Sequence, residues 1–265
     1  MKRLFFLLLL LFATQISAQT DFFVIGDSNT SQRITTAPLV CDNKYSYTQS
    51  LYKSNELMVG EITSISYYHV GGWFNSGVVK VYLKETTQSS LSSFVSLQNS
   101  IEVFSDTVIL SNGWITFDFY TPYEYSGNNN LVITMIKEGF TTQSNHFFKT
   151  RNANSSTRCA ANHTTPYNIN SNPNYSQILN ETPIVKVGII PDEEHCYQPF
   201  NLRVDSVSSD LAIISWDNFW QEGSFVGIAC KKATESQWTI IQEGVTGTTY
   251  TITGLESHSN YQIKL

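Results

Sequence analysis

Beyond the first twenty residues, no segment repeats its apolar positions at the 3.6-residue period of an amphipathic helix. Alternation and short apolar runs recur instead, over 62–70, 78–83, 107–110, 114–119, 131–136, 146–149 and 184–190. Alternation is what a half-buried strand demands, because successive side chains point to opposite faces. Turn-forming clusters separate the runs: Gly71-Gly72, Ser111-Asn112-Gly113 and Ser126-Gly127-Asn128-Asn129-Asn130. Many short strands at this spacing predict an all-β sandwich or barrel. One short helix is expected near 91–97. The stretch 152–180, rich in Asn, Ser and Thr, reads as a long loop holding at most one short strand.

The first residues obey a different rule. Met1-Lys2-Arg3 precedes an uncharged apolar run from Leu4 to Ala13, and Ile16-Ser17-Ala18 follows. A basic start, an apolar stretch and a small-residue cleavage site make a secretory signal peptide over 1–18. The run holds about half of the roughly 20 apolar residues a membrane span needs. No Cys follows it, so a lipid anchor is not expected, and the expected location is secreted or at the cell surface. Loss of Lys2 and Arg3 with the leader leaves 14 basic against 22 acidic residues, a formal charge of −8. A chain this acidic lacks the electrostatic footprint of a nucleic-acid binder. No later segment is apolar enough to cross a membrane as a helix. A mature chain of about 247 residues suggests one or two domains. Pro191-Asp192-Glu193-Glu194-His195 follows an apolar strand and reads as a linker over 191–195, which places domains at 22–190 and 196–265.

Four cysteines remain in the mature chain: Cys41, Cys159, Cys196 and Cys230. Export permits disulfides. The spacing is wide, with no C-x-x-C pair, so zinc is not expected; four cysteines allow three connectivities, and sequence alone does not choose among them. The favoured pairing is Cys41–Cys159, because both fall in the first domain.

From Cys196 onward the sequence resembles a fibronectin type III domain. Pro199-Phe200-Asn201-Leu202 with Val204 matches strand A. Leu211-Ala212-Ile213-Ile214-Ser215-Trp216 matches strand B, with Trp216 as the buried tryptophan. Tyr250-Thr251-Ile252-Thr253-Gly254-Leu255 followed by Tyr261 resembles the corner between strands E and F. There the resemblance implies a tyrosine hydroxyl hydrogen-bonded back to the backbone. It also implies an immunoglobulin-like sandwich of about seven strands. The match stops within strand F, so 196–265 reads as an incomplete copy and the chain as a fragment of a longer product. In that fold Cys196 and Cys230 would lie in different sheets and near opposite ends, beyond the roughly 7 Å Cα limit for a disulfide.

Residues 22–190 resemble a β-sandwich module of exported Bacteroidetes proteins that precedes fibronectin type III repeats. The resemblance is carried by Tyr45-Ser46-Tyr47-Thr48-Gln49-Ser50-Leu51-Tyr52, Gly60-Glu61-Ile62-Thr63-Ser64-Ile65-Ser66-Tyr67-Tyr68, Val79-Lys80-Val81-Tyr82-Leu83, Asn112-Gly113-Trp114-Ile115 and Thr121-Pro122-Tyr123-Glu124-Tyr125-Ser126-Gly127. It implies a jelly-roll-like, adhesin-like or carbohydrate-binding-like sandwich. The expected function is therefore non-enzymatic adhesion or binding, with an extracellular glycan or protein as partner. An accessory region of a secreted hydrolase is the alternative.

Four groups of residues could carry chemistry. Gly26-Asp27-Ser28, together with Asp192-Glu193-Glu194-His195, resembles the nucleophile and base blocks of SGNH-type esterases. That would make Ser28 a nucleophile served by His195 and Asp192. Those enzymes are α/β, however, and the helical crossovers they need have no counterpart in this pattern, so no catalytic residue is expected. The five histidines show no i, i+2 or i, i+4 spacing and predict no metal site. Structural calcium is the one cofactor for which loops offer hard oxygen ligands, at Asp27 or at Asn128, Asn129 and Asn130. Exposed rings stack on the apolar faces of sugars, and Trp73 and Phe74 after the glycine pair, with Tyr123 and Tyr125 around Pro122, are the candidate binding residues. Trp114, inside an alternating strand, ranks lower.

Overall fold

The computed structural model describes residues 20–139, 141–174, 176–192, 199–218 and 225–265. The signal peptide expected over 1–18, His195, Cys196 and most of the expected linker lie outside the described residues. In chain order the strands are β1 (Asp21–Ile25), β2 (Arg33–Ile34), β3 (Tyr45–Tyr52), β4 (Gly60–Val70), β5 (Phe74–Thr86), β6 (Ile101–Leu110), β7 (Gly113–Tyr125), β8 (Asn130–Glu138), β9 (Phe147–Asn162), β10 (Gln177–Pro183) and β11 (Val185–Pro191). Six more follow: β12 (Phe200–Val207), β13 (Leu211–Asp217), β14 (Val226–Lys232), β15 (Thr239–Val245), β16 (Thr249–Thr253) and β17 (Tyr261–Lys264). Among the described residues the only helical turn is a 3₁₀ turn, Ser54–Glu56. The protein is an all-β sandwich protein, and every strand pairing is antiparallel.

The first eleven strands form two layers. Sheet A contains β7, β4, β11 and β1, with β2 and the start of β9 continuing the lanes beside β4. Sheet B contains β10, the rest of β9, β3, β8, β5 and β6. Alternation builds the core between them. Ile65 and Tyr67 of β4, Ile115 and Phe117 of β7, and Val185, Val187 and Ile189 of β11 face Val79, Val81 and Leu83 of β5 and Ile133 and Met135 of β8. Truncating one such Leu or Ile to Ala costs about 2–5 kcal/mol.

Two expectations fail here. No helix forms over 91–97. The segment between β5 and β6 lies irregularly on the outer face of sheet B, burying Leu91, Phe94 and Val95. Side chains satisfy the backbone groups a helix would have paired. The buried Gln49 amide accepts from Val95 N–H and donates to Val95 O, each at 2.7 Å. Arg158 Nε donates to Leu91 O at 3.0 Å, and Lys84 Nζ donates to Ser96 O and Gln98 O. Nor is 152–180 one long loop: β9 runs to Asn162 and β10 starts at Gln177. Ser156, Thr157 and Arg158 are buried there between β3 and β10. Their polar composition disguised a strand whose side chains bond to β10 and to the covering segment.

The later strands make two three-stranded sheets, β12-β13-β16 and β15-β14-β17. Ile214, Trp216, Val226, Ile228 and Ile252 are buried together between them. Glu256 N–H donates to the Tyr261 hydroxyl at 3.0 Å, the backbone bond expected at that corner. Cys230 is a free, half-buried thiol on β14.

Candidate ligand-binding face

The outer face of sheet A is built by the same alternation that builds the core. On β4, Ile65, Tyr67 and His69 point inward, so Ser64, Ser66 and Tyr68 point outward. On β7, Ile115 and Phe117 point inward, so Trp114, Thr116 and Asp118 point outward. Register then sets Tyr68 against Trp114, Ser66 against Thr116 and Ser64 against Asp118. On the other side of β4, Lys186 and Gly188 of β11 meet Ser66 and Ser64, and Phe22 of β1 lies against Gly188.

Small residues form the floor and large ones cross it. A Cβ on Gly188 would lie 2.9 Å from the Phe22 ring and 2.4 Å from Ser64 Oγ, so the bare glycine lets that ring lie flat on the sheet. Ser66 Oγ and Thr116 Oγ1 share a hydrogen bond of 3.0 Å. Lys186 reaches across Ser66, and its Nζ lies 5.1 Å from the Trp114 ring centroid and 5.9 Å from that of Phe22. Trp114 and Tyr68 meet edge to face at 5.4 Å. Lys149 Nζ lies 4.2 Å over Tyr68 and donates to Ser28 O. Arg33, paired with Lys149 in the strand register, lies 4.4 Å over Phe147. The result is a continuous band of four rings interleaved with three cations. Cation–π contacts of this kind contribute about 0.5–1 kcal/mol each at exposed sites and fix the side chains in place.

The candidate aromatics separate. Trp73 is 68% exposed at the turn between β4 and β5. Phe74, Tyr123 and Tyr125 are 3%, 7% and 2% exposed and belong to the core, where no sugar can reach their faces. The physical reason is parity: Tyr123 and Tyr125 share the inward positions of Ile115 and Phe117 along one continuous β7. Pro122 does not end that strand, because it falls in the register gap between Asp118 and Tyr123, where its missing N–H costs no ladder bond. Conversely, the alternation that ranked Trp114 low is what places it on the solvent side. Phe22, Tyr68, Lys149 and Lys186 were missed, and the available signal was one large residue per strand on an otherwise small, polar face.

The other candidates are structural. Cys41 and Cys159 form no bridge. Both are free thiols buried in different clusters, Cys41 between the sheets and Cys159 with Ala37, Val40 and Leu179, and burial pushes each thiol up to about 12. Asp27 Oδ1 accepts from Asn29 N–H in a local turn. Asn130 is engaged at both ends of its amide, by Ser54 N–H and by Gln88 O. Among the described residues no three His, Cys, Asp or Glu side chains gather. Ser28 and Asp192 lie at opposite ends of a strand pair: Ser28 follows Ile25, which faces Val185, whereas Asp192 follows Pro191 beyond the Asp21–Ile189 pair. Seven residues of extended chain separate those ends by more than ~20 Å, so the two cannot belong to one catalytic set.

Two histidines that the spacing rules did not connect meet beneath the Trp73 turn. His69 Nε2 and His146 Nδ1 are 2.9 Å apart, and His69 Nδ1 lies 2.7 Å from Ser111 O. The carbonyl requires a proton on His69 Nδ1, which leaves Nε2 to accept from His146 Nδ1–H. Phe74 and Phe148 flank the pair, and desolvation holds both imidazoles below the ordinary histidine value. Such a buried neutral pair packs the end of the core and offers no group to a ligand. The chain matches no protein-family model and no curated protein sequence, so the assignment of a ligand face rests on the band across sheet A itself.

Proposed function

We propose that this chain is an exported, non-catalytic recognition protein that binds carbohydrate through the outer face of sheet A. The observation that carries this reading is the band formed by Phe22, Lys186, Trp114, Tyr68 and Lys149. Here rings and hydrogen-bonding groups stand on a rigid sheet over a floor of Ser64, Ser66, Thr116 and Gly188. Saccharides are recognised by this combination, because their C–H faces stack on rings while their hydroxyls need donors and acceptors. Strands hold such groups more rigidly than loops do. The β12–β17 sandwich, with its Trp216 core and Tyr261 corner, is read as a fibronectin type III-like spacer, and the 1–18 leader as the export signal. The test is a glycan array probed with residues 19–265, followed by titration calorimetry on the hits. Trp114→Ala with retained folding should reduce affinity at least tenfold. Binding that survives this change, or that is lost only in Trp73→Ala, overturns the assignment of the face.

A further inference from the structure

The chain carries 16 basic and 22 acidic residues. Against that excess, the outer face of sheet A presents Arg33, Lys149 and Lys186 together, and among the described residues none of the three is ion-paired. Their placement is set by register. Lys186 faces Ser66, and the pairing of His69 with Phe148 brings Lys149 opposite Tyr68, two residues further along β4. The two ammonium groups therefore stem from the same lane, with backbones about 7 Å apart. Arg33 stands in the next lane, opposite Lys149. Each cation lies over a ring, Lys186 over Trp114, Lys149 over Tyr68 and Arg33 over Phe147. The acidic groups of the face, Asp118 across from Ser64 and the Glu61–Glu124 pair beyond it, lie toward the opposite end.

We propose that the ligand of this face is an anionic polysaccharide, a chain of uronic acid units, with Arg33 and Lys186 pairing its carboxylates while Trp114 and Tyr68 stack on its ring faces. The inference rests on the carbohydrate reading above and adds the charge class. A neutral glycan would leave Arg33 and Lys186 on an acidic protein without an anionic partner. An acidic peptide would use the cations, but it would not need rings fixed between them at the spacing of successive sheet positions. Lys149 acts differently from the other two: its ammonium is already held by Ser28 O, so it orients Tyr68 more than it binds.

The experiment is calorimetry of residues 19–265 with oligogalacturonate, with a neutral β-glucan oligosaccharide and with poly-glutamate, at low and high salt. The double variant Arg33→Ala/Lys186→Ala is measured alongside Trp114→Ala. Oligogalacturonate should bind with affinity that falls as salt rises, because exposed charges are screened. The double variant should lose about tenfold or more, as expected for two exposed charge-assisted contacts. Thermal melts check that each variant folds. Trp114-dependent binding to the glucan but not to the uronate overturns this inference and leaves the carbohydrate reading standing. Equal binding to poly-glutamate overturns it in favour of simple charge capture. Binding to none of the three overturns it too, and a negative glycan array would then remove the carbohydrate reading as well.

Discussion

The two outer faces of the first sandwich start from one pattern and reach opposite fates. Sheet B is sealed: 91–97 lies across it, Leu91 and Val95 pack on Leu51 and Val132, and Phe94 packs on Tyr47 and Ile136. Among the described residues, no segment covers sheet A over Phe22, Lys186, Trp114 and Tyr68. The difference lies in which polar residues accompany the apolar ones. Sheet B carries Gln49 and Arg158, long groups that reach up and bind the backbone of a crossing chain. Sheet A carries Ser64, Ser66 and Thr116, which bond to each other or stop short. A face furnished with long amide and guanidinium groups captures its own chain, and a face floored with hydroxyls stays available to something else.

The largest effect expected from breaking this contrast is on the sealed side. Gln49→Leu removes both bonds to Val95 and leaves its buried N–H and C=O unpaired. Urea unfolding should show a loss of about 2–4 kcal/mol. A loss under 1 kcal/mol would mean that apolar packing alone holds the segment. On the open side, Trp114→Ala should cost only about 1–2 kcal/mol, because it removes one edge-to-face contact and one cation–π contact from a half-exposed site. Its effect belongs in binding, so a stability loss above 4 kcal/mol would mark the ring as core. A third prediction concerns pH. His69 and His146 titrate below their ordinary value of 6.5 when folded, so the unfolded chain takes up protons first as pH falls. Their contribution to stability is complete above about 6.5 and is lost as pH drops below that value through the folded-state values. Melting temperature followed from pH 7.5 to 5 should decline, and the His69→Gln/His146→Gln variant should decline less. An equal decline in the two proteins would assign the effect to carboxylates. The smallest effect is expected for Trp73→Ala: with the ring 68% exposed, stability should change by less than about 0.5 kcal/mol.

How far the chain was legible depended on how much of each element's fate was local. The all-β class and the alternating runs were readable because period-2 burial is written in neighbouring residues. Phe74 was misplaced because it was read with Trp73 as part of the turn after Gly71-Gly72, whereas it opens β5; Tyr123 and Tyr125 were misplaced because the alternating run was ended at 119, whereas β7 continues through a gap in its ladder. The 91–97 segment looked helical because its apolar spacing is compatible with a turn. What settles its path is Gln49 and Arg158, 46 and 67 residues away from the groups they bind. The band across sheet A was invisible for the same reason. Arg33, Lys149 and Lys186 are remote in sequence, and only pairing with β4 and β9 brings them together. The His69–His146 contact, 77 residues apart, follows the same rule.

β9 links the two faces in a way that bears on mechanics. Its first residues pair with β4 and β2 in sheet A, and the rest pairs with β3 and β10 in sheet B. One unbroken 16-residue strand is therefore stitched into both layers. A pull on either layer loads the other through covalent bonds as well as through side-chain packing. The layers cannot peel apart as separate foldons, so amide exchange should report one opening event for the first sandwich. In the proposed binding role, tension entering through a ligand at the bare face would be shared with the sealed one.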